Sequence, residues 1–183
     1  MQDKVGIYPK NYHEDEGSRV EGERYAGIVI KDHKVLLIHR IKDGFEYYVF
    51  PGGHRRQEET REACVLREIT EETSLKVQNP KLVFEFKDHH NQGTDFYYLC
   101  ECDSCGKPKL VGEEKIRNCE ENFYEPMWVE LSKISELNIL PLFAKEWLAR
   151  NIHLLNLSQS GAPILPKKKS KAPLFCIGLP RKR

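Results

Sequence analysis

No run of about eighteen apolar residues occurs anywhere in the 183-residue chain, so no segment reads as a bilayer-spanning helix. The first residues are polar and acidic, which argues against a secretory signal, and a cytosolic (cytoplasmic) protein without a membrane partner is the expectation. There is no internal repeat, which argues against a stacked-repeat architecture. Cysteine pairs are scarce: Cys102 and Cys105 form a lone C-x-x-C, with Cys64, Cys100, Cys119 and Cys176 scattered. Cys100, Cys102, Cys105 and Cys119 could in principle make a four-thiolate zinc site, but reduced thiols are the plainer expectation. Acid is missing from residues 167–183, which hold seven of the 29 basic residues and none of the 28 acidic ones. The remainder therefore carries 22 basic against 28 acidic residues, a net of −6. Such a tail reads as a flexible, solubilising segment with weak contact to polyanions or nucleic acid. What is present is ordinary for one globular domain, with 39% hydrophobic and 10% aromatic residues.

Glycine and proline are also missing from the stretch that organises the chain, once past its opening turn. Pro51-Gly52-Gly53 opens it, and neither residue type recurs through the Glu-rich run that ends at Leu75. The pattern predicts a helix from about Thr60 to Ser74. At about 100° per residue, Glu71 and Glu72 fall on either side of Glu68 within an arc of roughly 100°. Ala63, Leu66 and Thr70, beside Thr73, are expected on the opposite, packed face. Like charges at this spacing repel by a few tenths of a kcal/mol per pair, so their clustering calls for a cause. A solvated acidic surface is one reading. The other is a divalent-cation site, since Mg2+ takes oxygen ligands from a few carboxylates and from substrate phosphates. The Gly-Gly turn at a fixed distance and Arg67 just before Glu68 favour the metal.

These residues resemble the Nudix box, the signature of the Nudix hydrolases. Gly53 opens it, Glu59 follows after five residues, and Arg67-Glu68 after seven more. Ile69 is its aliphatic residue, Glu71-Glu72 its paired acids and Leu75 its closing aliphatic. Ser74 stands where the family has a final Gly that ends the helix at positive φ, a conformation costly for Ser. The resemblance covers about residues 24–151 and implies an α/β fold, an α/β/α sandwich with a mixed sheet between helices. The domain is expected over residues 24–157, with a polar lead-in over 1–23 and the basic tail over 158–183.

The resemblance further implies a metal-dependent hydrolase, with Mg2+ or Mn2+ held by Glu68, Glu71, Glu72 and the backbone at Gly53. Arg67 and Glu59 would form an internal ion pair, and Gly52 and Gly53 would let the backbone approach metal and phosphate. One further acid is expected before the Trp128 strand, with Glu121 and Glu125 the candidates and Glu113 and Glu114 behind them. Arg40 either faces phosphate or lies on the surface. The partner is a nucleotide; the oligomeric state is left open. Relatives acting on ADP-ribose or on diadenosine polyphosphates carry a Pro or a Tyr shortly after the box, and residues 89–93 have neither. This leaves a MutT-like activity on a nucleoside triphosphate, giving monophosphate and pyrophosphate, as the leading expectation. Alternatives are hydrolysis of an RNA 5′-end pyrophosphate, hydrolysis of ADP-ribose or a nucleotide sugar, and a catalytically silent binding module.

Elsewhere the pattern predicts strands over residues 24–30, 35–39, 45–50, 77–87, 95–101 and 128–131. Residues 112–126 show neither strand nor helix periodicity. His89 and His90, in a polar loop, read as solvated rather than as ligands. After Pro141, Phe143, Ala144, Trp147, Leu148 and Ile152 recur at helical spacing and predict a second, packed helix.

Overall fold

The protein is described from a computed structural model over residues 19–88, 93–102 and 106–157. His89, His90, Cys105, Cys176 and the basic tail lie outside the described residues.

Two tight hairpins start the fold. Strands β1 (Arg19–Lys31) and β2 (Lys34–Lys42) are joined at Asp32-His33, and β2 and β3 (Phe45–Val49) at Asp43-Gly44. All four turn residues have positive φ, from 49° to 78°. That is the geometry whose twist matches antiparallel strands, and Asp-Gly is among its preferred sequences. The chain then turns through Pro51 into β4 (Gly52–Arg56), which pairs antiparallel with β1. Helix α1 (Arg61–Thr73) follows, then β5 (Gln78–Asp88) and β6 (Gly93–Glu101). A short helix, α2 (Gly112–Arg117), precedes β7 (Asn122–Glu130), β8 (Ile139–Leu140) and helix α3 (Leu142–Leu157).

The strand order is β5-β6-β1-β2-β3-β8, with β4 also on β1 and β7 also on β2. β6 runs parallel to β1 while most other pairs are antiparallel, so the sheet is mixed. Strand alternation sends successive side chains of β1 to opposite faces. Ala26 and Ile28 enter a core with Leu37, Tyr97, Ala144 and Leu148, under α3. Tyr25 and Val29 enter a second core with Leu36, Val65, Ile69 and Tyr98, under α1. The result is the expected α/β/α sandwich.

Helix α3 packs with the expected residues. Ala144 and Leu148 are fully buried, Phe143 stacks on Phe86 at 3.7 Å, and Trp147 stacks on Phe84 at 5.0 Å. Three expectations need correction. Strand β1 begins at Arg19 rather than at residue 24. The featureless stretch 112–126 contains α2 and the first half of β7, which starts at Asn122 and not near Trp128. Finally, the packed side of α1 is Cys64, Val65, Ile69 and Thr73, whereas Ala63 is exposed and Leu66 and Thr70 are half-buried. The helix is therefore rotated about its axis by roughly a quarter-turn from the expected setting, at about 100° per residue. This rotation swings Glu68 and Glu72 away from open solvent and towards the turn before β4.

The cysteines also depart from the expectation in part. Cys64 and Cys100 are buried free thiols and Cys119 is an exposed one, but Cys102 takes part in a disulfide. That removes Cys102 from a four-thiolate site.

Candidate metal-assisted active site

Strand β1 supplies the floor. The Gly27 amide donates to the Pro51 carbonyl at 2.8 Å, and Tyr25 and Ala26 pair with Gly53 and Gly52. Gly52 has φ +153°, and a β-carbon there would lie 2.2 Å from the Tyr25 carbonyl oxygen, so the turn requires glycine. Arg24 donates from one guanidinium nitrogen to the carbonyls of Phe50 (3.1 Å) and Gly52 (3.2 Å).

Helix α1 supplies the acids. Its Thr60 cap accepts from the Ala63 amide, and its other end closes at Ser74 in the left-handed region, φ 59°. The Ser74 amide donates to the Thr70 carbonyl at 3.0 Å, so the helix ends where a glycine would have ended it. Glu72 accepts from the Gly52 amide at 2.7 Å. Glu68 lies against Gly53, where a β-carbon would come within 2.7–2.8 Å of its carboxyl atoms. Both glycines therefore meet the helix acids directly.

Arg67 ties the pieces together. Its Nε and one terminal nitrogen donate to the two oxygens of Glu59 at 2.8 and 3.0 Å. The same terminal nitrogen reaches the His54 carbonyl at 3.1 Å, and the other bridges Glu68 (2.7 Å) and Glu71 (2.9 Å). Burial works against the charge on Arg67, but its bonds to Glu59, Glu71 and Glu68 and the Glu68 charge more than offset this and raise its pKa. Burial likewise disfavours the Glu59 carboxylate, yet Arg67 and the Arg56 amide hold its pKa below the ordinary value. The Arg67–Glu59 pair joins helix to loop through a bidentate contact of the stronger kind.

Glu72 behaves oppositely. Burial, then the neighbouring charge of Glu68, raises its pKa well above the ordinary carboxylate value, against Arg24 and the Gly52 amide; Glu114 pushes in the same upward direction. Glu114 thus adds negative charge to this group from α2. A β-carbon on Gly112 would meet both the Glu71 carbonyl oxygen (3.1 Å) and a Glu114 carboxyl oxygen (3.3 Å), which places α2 against the end of α1.

The other expected residues fall elsewhere. Glu125 is exposed on β7 opposite His39, and Glu121 is exposed in the turn just before β7, its carbonyl accepting from the Asp43 amide. Arg40 is buried rather than on the surface. It donates to Asn122 at 3.2 Å and sits 3.5 Å from the centre of the Tyr124 ring. None of these contacts belongs to the acidic face. The side chain of Glu113 lies outside what is described. Among the described acids before the Trp128 strand, Glu114 is one whose charge acts on Glu72.

Does this group suit a divalent cation? Among the described residues no trio of His, Cys, Asp or Glu is already drawn together as a metal cage, and Arg67 bridges Glu68 and Glu71 instead. The donor chemistry nevertheless fits. The set is all-oxygen and anionic, Glu68 occupies the space beside Gly53 that a β-carbon would fill, and the charges of Glu68 and Glu114 crowd Glu72. A cation would offset that crowding. Glu68, Glu71 and Glu72, with backbone at Gly53, are the residues that would hold it.

A mixed sheet between helices, with a glycine turn facing a Glu-rich helix, defines the Nudix class of α/β proteins. The chain belongs to the NUDIX domain family, whose model matches residues 23–150. A curated relative, an ADP-ribose pyrophosphatase of Methanocaldococcus jannaschii, is 41% identical over 91 residues, covering 48% of this chain and 54% of the relative. The chain thus matches about half of that relative's length. Among solved structures, the MutT protein of Methanosarcina mazei Go1 is similar with a TM-score of 0.53 and 18% identity, over 73% of this chain and 94% of that one. A MutT structure from work on Aliivibrio salmonicida and Vibrio cholerae also gives a TM-score of 0.53, with 18% identity over 71% and 93%. These two likenesses establish the fold.

Proposed function

We propose that the protein is a metal-dependent pyrophosphohydrolase acting on nucleoside diphosphate derivatives, with a nucleoside triphosphate as leading substrate. The observation that carries this reading is the placement of Glu68 and Glu72 against the Gly53-Gly52 backbone. A bound Mg2+ or Mn2+ would offset charge on phosphate oxygens and ease deprotonation of the attacking water. The rest is positioning by the chain. The Gly52 amide orients the Glu72 carboxylate, and Arg67, anchored by Glu59 and the His54 carbonyl, sets the directions of Glu68 and Glu71. Glycines at 52 and 53 leave the backbone open to a close phosphate approach. Glu68, or another carboxylate of the group, accepts the proton of the attacking water. Glu114 adds negative charge from the α2 side and is the candidate further acid.

A second reading, ADP-ribose as substrate, is supported by the name of the 41%-identical relative. The reading of an RNA 5′-end substrate rested on the basic tail, which lies outside the described residues.

One experiment separates these. The purified protein is offered nucleoside triphosphates and ADP-ribose with Mg2+ or Mn2+ in isotopically labelled water, and products are identified by mass. A MutT-like reaction gives monophosphate and labelled pyrophosphate. Label in the monophosphate alone would overturn attack at the β-phosphorus. Cleavage of ADP-ribose with no triphosphate cut would favour the second reading, and no hydrolysis of any pyrophosphate linkage would sink both.

A further inference from the structure

Arg24 is placed by β1 beside the glycine turn, where it pairs across to His54 in β4. Its guanidinium donates to the carbonyls of Phe50 and Gly52, on both sides of Pro51, at 3.1 and 3.2 Å. The Pro51 carbonyl between them is held by the Gly27 amide at 2.8 Å. Gly52, in turn, has its amide on Glu72 at 2.7 Å and its carbonyl on Arg24. Successive carbonyls of the turn thus each have a donor, and two of these three contacts come from a single side chain. The guanidinium is also near enough for its charge to act on Glu72.

A positive charge beside a cation site ought to weaken that site by repulsion. A donor that fixes the turn ought to strengthen it by presenting Glu72 and the Gly53 backbone in one geometry. The two effects differ in sign, so they can be told apart. One terminal nitrogen grips the two carbonyls that flank Pro51, and a lysine ammonium, on a stem one atom shorter, keeps the charge but falls short of that point.

We infer that Arg24 is a positioning residue, which locks the Phe50–Gly52 turn and thereby sets divalent-cation affinity at Glu68 and Glu72. This rests on the metal reading proposed above. Partners that orient first ligands without touching the metal themselves typically govern affinity by about ten- to a hundredfold.

The test uses the full chain with Arg24→Lys and Arg24→Met, folding being checked by circular dichroism and melting. Mn2+ binding is measured by electron paramagnetic resonance, and exchange of the Gly52 amide hydrogen is followed in metal-free protein. Weakening of Mn2+ binding by about tenfold or more in both variants, with faster Gly52 exchange, is the expected result. Tighter binding in Arg24→Met with unchanged binding in Arg24→Lys would mean that charge alone matters, and would overturn the inference. So would unchanged Gly52 exchange in both variants. If Arg24→Met does not fold, Arg24→Lys decides by the same two readouts. Absence of Mn2+ binding in the wild-type protein would instead defeat the metal reading, and the inference with it.

Discussion

The Glu68 carboxyl group occupies the space that a β-carbon on Gly53 would need, with all three of its heavy atoms within 2.7–2.8 Å of that position. The neighbouring Gly52 is constrained differently, because its β-carbon would meet backbone, 2.2 Å from the Tyr25 carbonyl oxygen, at a φ of +153°. Two alanine substitutions one residue apart should therefore fail in different ways. In Gly53→Ala the obstacle is the end of a flexible side chain, so Glu68 rotates aside, the fold stands, and turnover falls by tenfold or more, on the order expected for about 1.4 kcal/mol of lost transition-state stabilisation. In Gly52→Ala the obstacle is a strand, so stability should fall by about several kcal/mol and the melting temperature with it. Parallel melting and activity measurements check this. Equal loss of stability in both variants would contradict the placement of Glu68.

Hydrolysis should require a divalent metal and the acidic face. Glu71→Gln and Glu72→Gln should each reduce turnover by about a hundredfold or more, since each removes charge from a site that works mainly by electrostatics. Neither should unfold the protein. Glu71 is partly exposed, and a neutral amide at position 72 can still accept from the Gly52 amide while relieving repulsion from Glu68. Full activity in both folded variants would remove the metal-site assignment.

The helix end offers a gain in stability. Ser74 adopts φ 59° at the left-handed cap, a conformation that costs a side-chain-bearing residue roughly 1–2 kcal/mol. Glycine avoids this cost but loses more chain entropy on folding, by about 0.5–1 kcal/mol. Ser74→Gly should thus stabilise by about 0.5–1 kcal/mol, read as a rise in melting temperature of about 1–4 °C. Ser74 is exposed and its amide bond to Thr70 does not involve the side chain, so activity should be unchanged. A fall in melting temperature would show that the serine hydroxyl contributes more than its backbone costs.

Much of this fold was legible because its signals are local. The apolar spacing of Phe143 to Ile152 marks α3, and the spacing from Gly53 to Leu75 marks the acid-bearing helix. What was not legible depends on partners distant in sequence. The acids at 68, 71 and 72 were visible, but not the rotation of α1, which is set by packing of Val65 and Ile69 against Tyr25, Val29 and Tyr98. An acidic stripe and an apolar stripe that overlap cannot face opposite ways, and Cys64, an apolar neighbour on the Glu68 side, carried that hint. Glu114 ranked behind Glu121 and Glu125 because α2 is a single short helix without a periodic apolar pattern. Arg24 read as the first residue of a strand; its role appears only when β1 and the turn are seen side by side. Strand β8 is two residues long and defined by its pairing with Tyr48 and Val49.

Stability should depend on pH in opposite senses through Glu72 and Glu59. The folded-state pKa of Glu72 is raised well above 4.5, first by burial and then by Glu68. Below the unfolded-state value both states carry the proton, and the stabilising contribution is fully present. As pH rises, the unfolded chain releases its proton first, and the contribution is lost on the way up through the raised folded-state value. Metal-free protein should therefore melt at higher temperature near pH 5 than near pH 8, if other groups titrate alike in both states. Glu59, with its pKa lowered by Arg67 against the effect of burial, contributes stability above its unfolded value and loses it as pH falls through the lower folded value. Melting temperature should then fall again in stronger acid, leaving a maximum in the mildly acid range. Two controls isolate the cause. Glu72→Gln should flatten the alkaline side of the profile while leaving the acid limb. Saturating Mg2+ should flatten it too, because a cation favours the ionised carboxylates. A wild-type profile that rises steadily from pH 5 to pH 8 without metal, or a Glu72→Gln profile that matches it, would show that Glu72 is ionised and comfortably solvated, and that the enclosure against Gly52 is not what governs it.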